Sequence, residues 1–98
     1  MALQLGNVGT HFLFENEHVK VWNLVLEPGE ASPWHRHTMH YLFSITQGGT
    51  LRAEYDDGTC AERVYQQGQV VMGRKDSVHR VINIGLARYS NAIVELKR

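Results

Sequence analysis

Cysteine is almost absent: Cys60 is the only one in 98 residues, so no disulfide can form within the chain. A lone thiol suits a reducing compartment, and the cytoplasm is the expected location. Cys60 follows the turn signal Asp56-Asp57-Gly58 and reads as a hairpin residue with no chemistry of its own. No stretch concentrates lysine or arginine, and ten basic residues balance ten acidic ones. That balance lacks the basic footprint of a nucleic-acid or anionic-membrane binder, so neither partner is expected. No window reaches the ~20 apolar residues of a membrane span. Residues 1–10 lack the basic start and apolar run of a secretory signal. No Gly-rich phosphate loop precedes a helix, and no Gly-x-Ser-x-Gly elbow is present. Carboxylates are few near the histidines, which sets aside a two-carboxylate hydrolase.

Helical stripes are also scarce, whereas β-forming residues are dense. Residues 19–27 (VKVWNLVLE) form the clearest strand, with Val19, Val21 and Val25 on one face and Trp22, Leu24 and Leu26 on the other. Apolar residues on both faces need cover on both sides. A chain of 98 residues makes one domain, 1–98, with its barrel core at about 19–95, and one small barrel covers only one of those faces. A homodimer is therefore expected. Further strands are expected at 34–37, 41–46, 51–55, 60–65, 69–72, 78–84 and 88–96. Turn signals separate them: Glu27-Pro28-Gly29-Glu30, Gln47-Gly48-Gly49, Asp56-Asp57-Gly58, Gln66-Gln67-Gly68 and Gly85-Leu86-Ala87. Arg74-Lys75-Asp76-Ser77 reads as a polar loop. Short strands at near-regular intervals argue an all-β sandwich or barrel.

Two histidine-bearing segments stand out. The first is Gly29-x5-His35-Arg36-His37-x3-Tyr41-x6-Gly48, and the second is Gly68-x5-Arg74-x-Asp76-x2-His79-x3-Asn83. His35 and His37 alternate onto one face of a strand, while Arg36 points away. A third histidine from another strand can complete a metal site that keeps positions open for exchangeable ligands. His40 offers a rival pair with His37 but falls on a short link and is expected at the surface. His11 and His18 have no partner at ligand spacing. Arg80 alternates to the outside of its strand.

These segments resemble the two motifs of the cupin superfamily, G(X)5HXH(X)3,4E(X)6G and G(X)5PXG(X)2H(X)3N, over nearly the whole chain. The first is kept at Gly29, His35, His37 and Gly48 but has Tyr41 in place of Glu. The second is kept at Gly68, His79 and Asn83 but has Arg74 in place of Pro and Asp76 in place of Gly. The resemblance implies a cupin-type jelly-roll β-barrel with His35, His37 and His79 as metal ligands on its inner face. Without the acidic ligand, three neutral imidazoles leave the ion its full charge, which favours chelation of an anionic or enolisable substrate. Tyr41 is then expected to donate a hydrogen bond to substrate or bound dioxygen, and Asn83 to orient a ligand or water.

A three-His cupin that has lost its Glu is similar to the iron-dependent dioxygenases of the superfamily. That similarity implies Fe(II), with Zn, Ni, Mn or Cu as alternatives, and a small molecule such as a β-diketone reacting with dioxygen. Two other functions fit the same resemblance: a non-catalytic small-molecule-binding cupin, and a metal-dependent isomerase or lyase.

Overall fold

A computed structural model of the protein describes residues 4–73 and 75–97. Arg74, which stands where the second motif has Pro, lies outside the described residues. The described residues form nine strands: β1 (His11–Glu15), β2 (Val19–Leu26), β3 (His35–Arg36), β4 (Tyr41–Gln47), β5 (Gly49–Tyr55), β6 (Cys60–Tyr65), β7 (Val70–Gly73), β8 (Val78–Asn83) and β9 (Tyr89–Leu96). They form a five-stranded sheet ordered β1-β2-β9-β4-β7 and a four-stranded sheet ordered β3-β8-β5-β6, and the pairings are antiparallel. The all-β class expected from the turn rhythm is the class observed. The turn signals fall between strands as expected; at Gln66-Gln67-Gly68, Gly68 adopts φ 88°, a backbone region that disfavours side chains with a Cβ.

Sequence pattern located eight of the strands and missed β1. The missed segment, HFLFE, is exposed throughout, and a bulge between Phe12 and Phe14 breaks its pairing with β2. A frayed edge strand with apolar residues on both faces does not show the alternation that marks a half-buried strand. Cys60 is exposed and free at the start of β6.

The two sheets enclose the core between their inner faces. On β2 the register places Trp22 opposite Ile93 and Leu26 opposite Tyr89, and all four are buried. Ile45 and Leu51 close the core from β4 and β5. Each fully buried aliphatic side chain of this kind contributes about 1.5–3 kcal/mol. The Trp22 indole donates to the buried Glu95 carboxylate at 2.8 Å, which satisfies both polar groups at the sheet interior. Val8 turns inward as well, so the segment before β1 closes one end of the core.

The outer faces differ in character. On the smaller sheet, Arg80 meets Glu54 at 2.7 Å and Arg52 meets Glu54 and Glu62, forming a solvated ladder of charge. The Arg80 guanidinium also lies 5.3 Å from the Trp34 ring centre. On the larger sheet, the registers align Phe14, Val21, Val94, Leu42 and Met72 in one row across all five strands. Among the described residues nothing covers the end of that row, where Met72 is 64% and neighbouring Val70 60% exposed. If this face meets a second copy, sedimentation at micromolar concentration should return twice the chain mass. Met72→Lys would place a charge in the contact and should shift the protein toward monomer with little change in the protomer, because Met72 is exposed there. A monomer for the unmodified chain would rule the contact out.

Candidate metal centre

His35 and His79 are cross-strand partners in the short β3–β8 pairing, so both project from one face at the same level. His37 lies two residues on, past the end of β3. Its backbone is clasped by the following loop: His37 N–H donates to Ser77 O at 3.1 Å, and Asp76 N–H donates to His37 O at 2.6 Å. Asp76 adopts φ 78° to make that turn. The second motif has Gly at this position, and Asp is among the few other residues that tolerate a left-handed backbone.

The three imidazoles converge through their Nε2 atoms, 3.1 Å apart between His35 and His37 and 3.2 Å between His37 and His79. Two ligands at about 2.1 Å from one ion stand about 3.0 Å apart at right angles and about 3.4 Å apart at a tetrahedral angle. The observed spacings fall between those limits. The Nδ1–H of His35 donates to Pro33 O at 2.8 Å, which fixes the tautomer that leaves Nε2 its lone pair. Among the described residues, His37 Nδ1 and His79 Nδ1 are buried without a partner. The set His35, His37 and His79 can hold one divalent transition metal, and imidazole donors suit several such ions.

Burial and mutual repulsion keep these rings neutral. Burial lowers the His37 pKa to about 3, with His35 and His79 adding to the shift, and lowers that of His79 to about 4. His35 is lowered by burial too, against an opposing hydrogen bond to Pro33. Neutral imidazoles present lone pairs to an ion without first releasing a proton.

Tyr41 occupies the place of the missing acid but stacks on His37, with ring centres 3.7 Å apart and planes within 11°. Its other face lies over Gly73, directly opposite in the β4–β7 register, where any Cβ would overlap the phenol ring. Burial pushes the Tyr41 pKa up to about 12, so the phenol stays protonated; a hydrogen bond with Ser77 acts weakly against that shift. The aromatic ring therefore buttresses a histidine where a carboxylate would face the ion.

Asn83 shares the inner face with His79 but has a different role from the ligand-orienting one expected. It is fully buried, its Nδ2 donates to Leu26 O and Ala87 O at 2.9 Å each, and its Oδ1 accepts from Gly85 N–H. The amide ties three chain segments together and does not line the cavity. His11, His18 and His40 are exposed and do not join the cluster.

The cluster opens onto a cavity of about 340 Å³, within the size range of small-molecule sites. Phe43, Leu51 and Val81 give it apolar walls, while Tyr55, Arg63, Lys75, Ser77 and Asn91 add polar groups. None of those five was singled out in the sequence. Tyr55 could have been: the turn at residues 56–58 sets the β5 register, which brings its ring 5.6 Å from that of His79.

With this geometry in view, the family model for the cupin domain matches residues 22–90. The chain belongs to the cupin family. Among solved structures, a cupin domain from Bordetella pertussis Tohama I is 26% identical, with TM-score 0.80 over 95% of this chain and 100% of that one. An RmlC-like cupin with a double-stranded β-helix fold from Methanocaldococcus jannaschii is 18% identical, with TM-score 0.70 over 98% and 89%. A cupin 2 conserved barrel domain protein from Salinispora arenicola CNS-205 is 23% identical, with TM-score 0.68 over 95% and 79%. No protein of curated function matches significantly. The jelly-roll expectation thus holds for this cupin, and so does a three-His group able to take a metal.

Two outcomes follow for the metal-free cupin. Since the folded protein holds His35, His37 and His79 below the ordinary value of 6.5, the unfolded chain binds more protons in mild acid. Stability should be flat above about pH 6.5 and fall as the pH drops toward about 4. Melting curves in chelator should show this, and His37→Gln should flatten the slope; a Tm that rises on acidification would refute it. Gly73→Ala should cost about 1–3 kcal/mol by overpacking against Tyr41. In a Tyr41→Ala background the same change should cost far less, and equal costs in a double-mutant cycle would show that the ring does not rest there.

Proposed function

We propose that this cupin is a mononuclear non-haem Fe(II) dioxygenase that cleaves a small enolisable substrate such as a β-diketone. The composition of the cavity wall carries this reading. Three imidazoles meet at one place, and no carboxylate is among the described lining residues. An isomerase or lyase using its metal only as a Lewis acid also needs a base to move a proton, most often a carboxylate or a free histidine. Here the three lining histidines are the ligand set, and burial raises the pKa values of Tyr41, Tyr65 and Tyr89. A described wall without a carboxylate or a free histidine favours chemistry between a chelated substrate and a second reactant, dioxygen.

Bound by His35, His37 and His79, iron would supply Lewis acidity toward a chelating substrate and redox chemistry with dioxygen. The protein's own groups prepare that place. Pro33 O holds His35 in its binding tautomer, and Tyr41 fixes the plane of His37. Phe43, Leu51 and Val81 shed water from the cavity, which strengthens electrostatic contacts inside it. The Tyr55 ring stands edge-on beside His79 and lines the same cavity. Zn, Ni, Mn and Cu suit the same donors, so iron is a choice to be tested by reactivity.

Anaerobic reconstitution with Fe(II) or Zn(II), followed by 2,4-pentanedione and an oxygen electrode, tests the proposal. Fe(II) protein should consume oxygen and Zn(II) protein should not. His35→Ala, His37→Ala and His79→Ala should each lose most of their metal by elemental analysis, since two imidazoles make a poor site. Tyr41→Phe should keep its metal. Binding of the diketone without oxygen uptake would instead assign a non-catalytic binding role, and full metal retention in all three His variants would remove the site.

A further inference from the structure

The inner face of the smaller sheet carries a cation that the metal site does not use. Arg63 lies on β6 directly opposite the buried Leu51, so it projects into the space between the sheets and lines the cavity. Lys75, from the loop that clasps His37, lines the same cavity. Of the cations outside the cavity, Arg52, Arg80, Arg88 and Lys97 each meet a carboxylate, and Lys20 lies over the Phe12 and Trp22 rings. Among the described residues, Arg63 and Lys75 meet none. The described cavity lining contains no Asp or Glu, so two positive groups face a pocket with no negative charge of its own.

We infer that the ligand of this cavity carries a carboxylate, held by Arg63 with Lys75 adding to the field, at the end away from the imidazoles. The register supports this division. On β5, Tyr55 faces His79 and Leu51 faces Arg63. Four residues along a strand separate those positions by about 13 Å of backbone, and the side chains reach into one cavity from both. A ligand with an enolisable head at the imidazoles and a carboxylate at its tail matches both ends. A guanidinium is suited to the tail because it donates two parallel hydrogen bonds to a carboxylate. Apolar walls between the two ends exclude water and sharpen the preference for an anion. The head assignment rests on the three-imidazole reading above; the tail assignment rests on Arg63 alone.

Two probes that share a β-diketone head separate these points: 2,4-pentanedione and 4,6-dioxoheptanoate, which carries one carboxylate two methylenes beyond the diketone. Calorimetry with Zn(II)-loaded protein, where turnover does not intervene, should show the carboxylate-bearing probe binding at least tenfold tighter. In Arg63→Met that preference should collapse to within about threefold, with metal content unchanged; Arg63→Lys should recover part of it, and Lys75→Met should reduce it less. Arg63 is exposed at the cavity edge, so the variants should fold, and circular dichroism checks this. A preference that survives in Arg63→Met belongs to the metal and overturns the assignment, as does equal binding of both probes to the unmodified protein. The same titrations in chelator isolate the head. An Arg63-dependent preference that persists there unchanged supports the tail assignment while removing the metal from ligand binding.

Discussion

The site depends on the antiparallel register between β3 and β8. That pairing is only two residues long, yet it sets His35 directly against His79. A slip of one residue would turn His79 to the outer face and bring Val78 or Arg80 inward. What prevents the slip lies outside β3. Ala31 bridges to Ile82, Ser32 N–H donates to Val81 O, and Gly29 and Glu30 exchange backbone bonds with Asn83. The buried Asn83 amide then ties that end of β8 to β2 and to the turn before β9. A short functional pairing is thus held in phase by a longer zipper just beyond it, and Asn83 acts on the site through the backbone.

A second constraint is steric. The place where a carboxylate would approach the ion is filled by an aromatic plane stacked on His37, and that plane fits because Gly73 leaves room beneath it. With no acid in this position, the imidazoles contribute no charge, and the charge balance of a metal-loaded site passes to whatever enters the cavity. The unpaired Arg63 and Lys75 work in the same direction.

Much of this was legible in the chain. Alternation placed His35 and His37 on one face, and paired motifs placed His79 with them. Turn signals such as Asp56-Asp57-Gly58 located the strands, because tight turns demand particular residues. What escaped notice depended on partners far away in sequence. Arg63 is an ordinary exposed arginine until the β5–β6 register sets it opposite Leu51. Tyr41 was read as a hydrogen-bond donor to substrate or bound dioxygen, whereas its stacking on His37 needed three-dimensional knowledge of Gly73. Asn83 looked like a ligand-orienting amide because the motif ends on it, whereas only the hydrogen-bond partners reveal a clamp. The edge strand β1 escaped because its bulge spoils the alternation.

The two tryptophans sit in contrasting settings. Trp22 is buried in the larger sheet, its indole N–H held by Glu95, with Lys20 and Phe12 over its ring. Trp34 is half-buried by the smaller sheet, beneath the guanidinium of Arg80. Their emission should therefore separate into a blue component and a redder one, each belonging to a different layer of the sandwich. A quencher in solution would reach the second first. The chain carries an optical reporter for each sheet, so loosening of one layer can be told from loosening of the other without attaching a label.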